Sequence, residues 1–545
     1  MRITTVREFS SIILSVLLIL IAACTNGSDK KVPTIKTTAG AAERDPSITE
    51  QTAYTNLFLD SAMLEQYVSG ETLPKDQREA FRDFYRQRNY QYAWFDSRGM
   101  GEQAPNFLNL NHSFIELFNA TMLVNPKLDS TVEQFRNDST HFDAANKNVA
   151  VTELELTAQF FRYAQIAYAG REDISTKDLG WFIPRRKIGF ITSLDSLLQY
   201  NSSDPEAFEP MHPQYKMLKN YLLRYIDIEK KGGWQPIKAD KKLYKKGDTS
   251  AIISLLKARL LITGDLFVSD TGTLFNDSLA TAVARFQHRY GVKEDSTITP
   301  ALIAEMNRPI QDRIRQIIIN LERLRWVPDL LPSHYIVVNI PEYKFHMYDS
   351  SKLQWSMNVV VGSAAHNTVI FSGNLQYVVF SPYWNVPYSI VKNEMGRSAS
   401  YFTKRNMEVV GKYGDGLPMV RQKPGENNAL GRVKFLFPNQ YSIYFHDTPS
   451  KNLFGRDKRA FSHGCIRLAE PAKLAKYLLQ YDNRWTADSI AGAMKRNTEL
   501  SVTLRQPIPV FIGYFTAWIS ENGQLNFRDD IYGHDKKMAE KLFSK

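Results

Sequence analysis

This 545-residue chain contains two cysteines. One of them, Cys465, has neighbours that could make it a nucleophile, in the segment Ser462-His463-Gly464-Cys465-Ile466-Arg467. A cysteine nucleophile needs a base or cation that favours its thiolate, and donors for the oxyanion that forms when it attacks a carbonyl. Two histidines are candidates for the base: His463 is two residues away, and fifteen residues separate His446 from Ser462. At a glycine-containing turn, spacing alone does not decide between them. Gly464 allows a tight turn that offers N–H groups to the oxyanion.

The N-terminus predicts export and a lipid anchor. Arg2 and Arg7 precede an apolar run from Ile12 to Ile21, which is long enough for a signal peptide and too short to span a bilayer. The run leads into Leu20-Ile21-Ala22-Ala23-Cys24, which resembles the bacterial lipoprotein box. The resemblance implies that residues 1–23 are removed and that Cys24 carries more than one acyl chain, which gives stable membrane anchoring.

Lipidation of Cys24 leaves Cys465 without a disulfide partner, because the chain has no third cysteine. A lone thiol in an oxidising compartment is prone to oxidation and to mixed disulfides. This makes Cys465 a candidate functional residue. The alternative is a buried, inert cysteine, which is common in protein cores but does not suit these polar, glycine-containing surroundings.

The composition narrows the class of partner. The formal charge of +11 and the pI near 9.2 suit an anionic partner such as the cell wall, a membrane surface or nucleic acid, or simply a basic secreted protein. No zinc-finger spacing and no basic region followed by heptads is present, so we expect no nucleic-acid partner. The length exceeds what one hydrophobic core usually organises, so several domains are expected.

The hydrophobic periodicity predicts an α+β multidomain protein whose first two-thirds are mainly helical. Residues 24–51 are predicted to be a flexible tether and 52–235 a helical scaffold domain. Isolated histidines in and near the scaffold are interpreted as surface or packing residues: His112, His141 and His212. Residues 236–307 resemble the three-helix peptidoglycan-binding module, through Gly247-Asp248 and Ala282-Val283-Ala284-Arg285-Phe286-Gln287 before Gly291. A linking helix is predicted over 308–328, stopped by Pro328.

From Tyr335 onward the period changes to the alternation typical of strands, which predicts a β-rich domain over 333–545. Strand signals give way to Lys, Arg, Gly and Asn at about 394–432, so this stretch is predicted to be an insertion that caps the site. Strands are predicted again over Val433–Phe437 and Ser442–His446, and a helix near Pro471.

His446, the fifteen residues after it, and Ser462-His463-Gly464-Cys465 resemble the signature of the L,D-transpeptidases, whose catalytic domain has the YkuD-type fold. The resemblance implies that His446 is the partner of the thiol and that His463 lines the site. It also implies that Tyr444 helps to position the acyl carbonyl. Arg467 stands where the family commonly has Asn, and it can meet a substrate carboxylate by bidentate hydrogen bonding.

Two further segments resemble the long subclass of this family, which has a helical scaffold, a wall-binding module and a capping insertion: Pro382–Pro387 and Pro424–Gly431. Within the first of these, Trp384 and Asn385 are candidates for substrate contact, although a structural role suits them equally well. Thr368-Val369 departs from the usual Thr-Pro, which affects the rigidity of that loop and not catalysis.

The resemblance implies that Cys465 attacks the carbonyl of the diamino acid at stem position three, expels the terminal D-alanine and forms a thioester. The amine of a second stem then resolves the thioester and gives a 3→3 cross-link, without a metal or an organic cofactor. The expected partners are donor and acceptor stem peptides and, through lipidated Cys24, a membrane. The expected location is the periplasm, on the outer membrane in preference to the inner one.

Three alternatives remain open. An L,D-carboxypeptidase resolves the same thioester with water, and a transferase that attaches proteins to peptidoglycan differs only in its acceptor. A non-catalytic, wall-tethering lipoprotein would tolerate loss of the thiol. A papain-like protease is disfavoured, because its histidine lies far downstream of the cysteine, where this chain has only His534.

Overall fold

A computed structural model describes residues 55–70, 73–137, 147–199, 209–328, 331–396 and 398–543. The predicted signal peptide, the lipidation site Cys24, the tether and His141 lie outside the described residues. Within the described ranges, no helix combines the length and apolar character needed to cross a membrane. The predicted α+β architecture is confirmed: helices dominate up to Trp326, and a β-rich region follows.

The first part of the chain packs its helices around one long, almost entirely buried helix, α5. The elements are α1 (Ser61–Gly70), α2 (Lys75–Gln87), β1 (Phe95–Asp96), β2 (Gly99–Met100), α3 (Gln103–Phe118), α4 (Pro126–Asn137), α5 (Lys147–Ala169), α6 (Phe190–Gln199) and α7 (Pro213–Lys230). Glu153 of α5 is completely buried, and its carboxylate accepts hydrogen bonds from the Ala93 N–H at 2.6 Å, the Trp94 N–H at 2.9 Å and the Tyr85 hydroxyl at 2.9 Å. Through these hydrogen bonds the Glu153 carboxylate holds the Ala93-Trp94 segment, which precedes β1, against α5.

The following module consists of α8 (Ala251–Thr263), α9 (Asp277–Tyr290) and α10 (Pro300–Met306). Ser250 caps the start of α8, and Gly264 ends it at φ +79°, where glycine is favoured. In the Leu255-Leu256 pair, Leu256 is buried, whereas Leu255 is 54% exposed. The module is joined to the end of the chain by buried Arg289, whose Nε donates to the Leu525 carbonyl at 2.6 Å.

Helix α11 (Ile310–Trp326) connects the helical part to the β-rich part and is buried on nearly all sides. The linking helix predicted over 308–328 is present, and its arginines Arg313, Arg323 and Arg325 are buried together with its apolar residues. Arg325 donates to Glu322 at 2.6 Å, to the Tyr215 hydroxyl at 2.7 Å and to the Ala167 carbonyl at 3.0 Å. These bonds satisfy a guanidinium that would otherwise be costly to bury.

The β-rich part is built on a barrel, because its long sheet closes on itself. In the described residues the sheet order is β12-β5-β13-β11-β10-β6-β14-β3-β4, and β4 pairs back onto β5. The strands are β3 (His334–Asn339), β4 (Lys344–Asp349), β5 (Lys352–Gly362), β6 (Phe371–Phe380), β10 (Val433–Leu436), β11 (Phe445–His446), β12 (Ala460–Ser462), β13 (Ile466–Leu468) and β14 (Leu500–Gly513). Helices α14 (Pro471–Leu479), α15 (Ala487–Ala493) and α16 (His534–Leu542) and the hairpin β15 (Ala517–Ile519) and β16 (Leu525–Phe527) accompany it.

The insertion between β6 and β10 begins earlier than predicted and contains its own sheet. Its elements are β7 (Trp384–Asn385), α12 (Tyr388–Glu394), α13 (Ala399–Lys404), β8 (Met407–Lys412) and β9 (Pro418–Gln422). Strand β9 pairs with β7 and β8, so the insertion starts at about Trp384 and not at 394. The strands were missed because β8 has a bulge and leaves adjacent valines exposed, which removes the usual alternation.

The strand predicted over Ser442–His446 is shorter than expected, because only Phe445 and His446 pair. The Asn439 side chain closes a turn by donating to the Phe437 carbonyl at 2.6 Å and the Ile443 carbonyl at 2.8 Å. Ser442 in this turn has φ +54°, which is incompatible with a strand.

We predict that Glu153 makes the stability of the protein depend on pH. Burial raises the pKa of Glu153 to about 7, whereas a free glutamate titrates near 4.5. Between pH 4.5 and about 7 the folded state keeps a proton that the unfolded state has lost, so the free energy of unfolding falls as the pH rises. Above about pH 7 both states are deprotonated and this group causes no further loss. Relative to Glu153→Gln, the wild type should lose up to about 3 kcal/mol of unfolding free energy between pH 4.5 and 7.5 in urea titrations. A constant difference between the two proteins across this range would contradict the prediction.

Candidate active site

The candidate residues come together because β11 and β13 are parallel neighbours. Their register pairs Phe445 with Ile466 and His446 with Arg467, which brings Tyr444 opposite Cys465. Phe445 and Ile466 are completely buried in the barrel core. Since side chains alternate along a strand, the flanking residues share the opposite, outward face. These residues are Tyr444, His446, Cys465 and Arg467.

His446 is held as a neutral base. Its Nδ1 lies 2.5 Å from the main-chain carbonyl of Asp447, and because a carbonyl only accepts, Nδ1 carries the proton and Nε2 keeps the lone pair. Burial, reinforced by the positive charge of Arg467, lowers the pKa of His446 to about 3. The ring is therefore oriented and unprotonated before any substrate arrives.

The thiol of Cys465 is also neutral in this structure. Its Sγ donates to the carbonyl of Ser442 at 3.5 Å. Burial raises the pKa of Cys465 to about 11, although hydrogen bonding from Tyr444 and the charge of Arg467 act in the opposite direction. The hydrogen bonds within the described residues thus direct the thiol proton to Ser442, and the resting pair is thiol and imidazole rather than thiolate and imidazolium.

Gly464 shapes the nucleophile's turn and has φ +111°, a region that favours glycine. Its N–H already donates to Ser462 Oγ at 3.1 Å, and that hydroxyl donates to the carbonyl of Cys465 at 2.5 Å. Gly464 was predicted to offer an N–H to the oxyanion, but in this structure that donor is used within the turn. Its role here is conformational.

Thr368 and Tyr532 brace this turn, and sequence reasoning did not identify either as part of the site. The Thr368 hydroxyl donates to the Gly464 carbonyl at 2.8 Å and accepts from the Gly362 N–H at 2.9 Å. The Tyr532 hydroxyl donates to the Gly362 carbonyl at 2.6 Å and accepts from the Thr368 N–H at 3.3 Å. The Thr368-Val369 pair was noted only for loop rigidity, and nothing in the sequence links Tyr532 to a turn so far upstream.

Arg467 provides positive charge beside both the thiol and the imidazole. It is largely buried, which lowers its pKa, and its Nε has no hydrogen-bond partner among the described residues. A buried donor of this kind favours an anionic ligand group, because a carboxylate would satisfy it.

His463 connects the nucleophile segment to the insertion. Its Nε2 donates to Glu394 Oε1 at 2.9 Å, and its ring lies 4.8 Å from the ring of His366. Trp384, a candidate for substrate contact, instead packs against the small core of the insertion, whereas Asn385 is exposed. The insertion thus contacts the site through Glu394, a residue that sequence reasoning had placed only at the boundary of the insertion.

The remaining histidines named above have local roles. His112 lies 3.0 Å from Asp129, and His212 caps α7 by accepting from the Gln214 N–H. The part of the chain that the structure describes contains no cluster of three or more His, Cys, Asp or Glu side chains suited to a metal ion.

Residues 333–501 match the family model described as YkuD, the L,D-transpeptidase catalytic domain, and residues 79–222 match a model described as the Scaffold domain. Among curated proteins, a "Putative L,D-transpeptidase" of Haemophilus influenzae is 33% identical over 243 residues, which cover 41% of this chain and 49% of that protein. The chain therefore spans about half the length of the curated relative that it matches.

The solved structures that resemble the chain are more distant. An L,D-transpeptidase from Mycobacterium smegmatis is 13% identical, with 33% of this chain and 58% of that chain covered and a TM-score of 0.18. L,D-transpeptidase 3 from Mycobacterium tuberculosis is 14% identical, with 33% and 61% covered and a TM-score of 0.18. Superpositions this weak carry no argument about the chemistry.

We predict that free Cys465 resists alkylation at neutral pH. Burial raises the pKa of Cys465 to about 11, whereas a free cysteine has a pKa of about 8.5. The rate of alkylation of Cys465 by iodoacetamide should therefore still increase above about pH 9. The measurement is the modification rate of the Cys465 peptide by mass spectrometry, with N-acetylcysteine as reference. A rate that is already constant above pH 7 would show a resting thiolate and contradict this picture.

Proposed function

The chain carries the L,D-transpeptidase catalytic domain of the YkuD family, and from this premise we propose that it forms 3→3 cross-links in peptidoglycan through a thioester on Cys465. One observation carries the proposal. The pairing of β11 with β13 places a thiol, an oriented neutral imidazole and a guanidinium on one face of the barrel. That set can activate a nucleophile, move a proton and bind an anionic substrate.

In the first half-reaction, Cys465 attacks the carbonyl of the third residue of the donor stem. The thiol proton passes to Nε2 of His446, a C–S bond forms, and the C–N bond to the terminal D-alanine breaks. His446 then gives the proton to the departing amine. Because the pKa values of the resting pair do not favour an ion pair, proton transfer accompanies the attack and does not precede it.

In the second half-reaction, the side-chain amine of an acceptor stem attacks the thioester. The amine loses a proton to His446 Nε2, the new amide bond forms, and the C–S bond breaks. The imidazolium returns the proton to the sulfur, so the enzyme ends in its starting state. Each step needs only a base that is neutral before substrate binds. Burial and the charge of Arg467 keep His446 neutral, and the Asp447 carbonyl fixes its tautomer.

Two features support selectivity for peptide stems and for an amine acceptor. Among the described residues, the buried Nε of Arg467 has no hydrogen-bond partner, which suits a carboxylate of the stem. The insertion reaches the nucleophile segment through the bond between Glu394 and His463, and a closed cover excludes water, which competes with the amine for the thioester.

The N-terminal sequence supports a proposed location. We propose that lipidated Cys24 anchors the protein to a membrane facing the periplasm, with residues 24–51 as the tether. Labelling with a fatty-acid probe tests this proposal: wild-type protein should incorporate the probe, and Cys24→Ser should not. Incorporation at another residue would contradict it.

We predict that Cys465→Ala abolishes cross-linking by the purified full-length protein. Muropeptide analysis of tetrapeptide donors should show 3→3 dimers with the wild type and none with the variant, and a carbapenem should leave a mass adduct on Cys465 of the wild type only. Tripeptides without dimers would favour a carboxypeptidase, and transfer only to a protein amine would favour an anchoring transferase. Product formation that is unchanged in Cys465→Ala would rule out the catalytic proposal.

We predict that Glu394→Ala increases hydrolysis relative to cross-linking. Loss of the 2.9 Å bond to His463 releases the insertion and admits water, so the ratio of tripeptide to 3→3 dimer should rise about tenfold. Glu426→Ala is the matched control, because Glu426 is 86% exposed in the same insertion and contacts Arg432 instead. Equal product ratios in the two variants would show that the contact with His463 does not control water.

A further inference from the structure

We propose that Phe182, a residue of the helical scaffold region, is a positioning residue for the nucleophile. It supports the turn that presents the Ser442 carbonyl to the thiol of Cys465. The inference rests on the proposed function of Cys465, but the contacts that carry it are independent of any substrate.

The segment that carries Phe182 is firmly attached to the barrel. The Phe182 N–H donates to the Ile370 carbonyl at 2.7 Å, and Trp181 forms an isolated parallel bridge with Ile370, directly before β6. Trp181 is buried, with its ring 5.4 Å from that of Trp326 and 5.9 Å from that of Phe515. The backbone of this segment therefore has a fixed position relative to the catalytic sheet.

This attachment directs the ring of Phe182 onto Tyr441. The two ring centroids are 5.2 Å apart, and on its other side Tyr441 lies 4.9 Å from Phe371 of β6. Phe182 remains 38% exposed, so burial alone does not account for a large apolar residue at this position. Its specific contact is the side chain at the head of the Ser442 turn.

The turn moves as one unit, because a single side chain closes it. Asn439 Oδ1 accepts from the Tyr441 N–H at 3.0 Å and from the Ile443 N–H at 3.2 Å, while its Nδ2 donates to the carbonyls of Phe437 and Ile443. A displacement of the Tyr441 ring is thereby transmitted to the residue between Tyr441 and Ile443, which is Ser442.

Ser442 is the residue that meets the thiol. Its φ of +54° is unfavourable for a side chain with a Cβ, and such a conformation persists only where the surroundings fix it. The tilted aromatic contacts among Phe182, Tyr441 and Phe371 supply that restraint on one side, and buried Ile443 supplies it on the other. The Ser442 carbonyl then accepts the Cys465 thiol at 3.5 Å and fixes where the sulfur and its proton reside.

The scaffold region and the catalytic domain thus share control of one sulfur atom. Phe182 lies in the part of the chain that matches the Scaffold domain model, outside the 333–501 match. The catalytic domain supplies the base and the nucleophile, and the scaffold region stabilises the turn that receives the thiol proton. Loss of Phe182 should leave the barrel folded and the thiol less well placed.

The test is Phe182→Ala in the full-length protein, with two readouts. Alkylation of the Cys465 peptide should reach its midpoint about 0.5 to 1 pH unit lower than in the wild type, because the thiol loses an acceptor that favours its neutral form and gains contact with water. Single-turnover acylation by a carbapenem should be about tenfold slower, because the sulfur is misplaced. Phe182→Tyr keeps the ring and should restore both values.

The matched control is Met122→Ala, since Met122 is 48% exposed in the helical part and should change neither readout. Tyr441→Ala should shift both readouts in the same direction as Phe182→Ala. The double variant should be no worse than Tyr441→Ala alone, because Tyr441→Ala already removes the contact with Phe182. Additive effects, or a Phe182→Ala protein identical to the wild type in both readouts, would overturn the proposal. Should Phe182→Ala not fold, Phe182→Leu, which removes the aromatic ring and keeps an apolar side chain, takes its place in both measurements.

Failure of the positioning role can be distinguished from failure of the proposed function. Alkylation requires only a thiol, so its pH midpoint reports the environment of Cys465 even if the wild type forms no cross-link. A wild type without cross-linking activity combined with a shifted midpoint would refute the reaction and keep the positioning role. An active wild type with an unshifted midpoint in Phe182→Ala and Tyr441→Ala would support the reaction and refute the positioning role.

Discussion

The chemistry of this protein depends on one short piece of parallel pairing, in which Phe445 and His446 lie beside Ile466 and Arg467. Two apolar residues of these strands enter the core, so the polar residues on either side must face outward together. A shift of the register by one residue would turn Phe445 and Ile466 out of the core and point His446 and Arg467 into it. The burial of Phe445 and Ile466 therefore fixes the site as firmly as any hydrogen bond within it.

The remaining structure acts largely by holding that face in place. Helix α11 buries arginines that pair with side chains from other parts of the chain, as Arg323 Nη1 does with Asp535 of α16 at 2.6 Å. Buried, paired charges of this kind are costly to separate, because each partner would be left unpaired in the interior. The domains are thus locked in one arrangement. This rigidity lets residues as distant in sequence as Phe182 and Tyr532 act on the segments around Cys465.

The sequence predicted the features that are local. The change of period near Tyr335, the helices, and the spacing of His446 and Cys465 are all visible in short windows, and the structure has the corresponding elements. It did not predict the Ser442 turn, because β-branched and aromatic neighbours there imitate a strand until the Asn439 side chain closes it. The braces at Thr368 and Tyr532 were missed because contacts between segments leave no periodic signal.

The insertion leaves and re-enters the barrel at paired residues, since Phe380 at the end of β6 lies opposite Val433 at the start of β10, and the Ser381 N–H donates to the Arg432 carbonyl at 2.7 Å. Its two ends are thus one strand spacing apart, however much chain lies between them. The entropic cost of closing a loop grows only slowly with its length, so the stability of the barrel depends little on the length of the insertion. The length of the insertion can therefore change without moving the strands that hold Cys465 and His446.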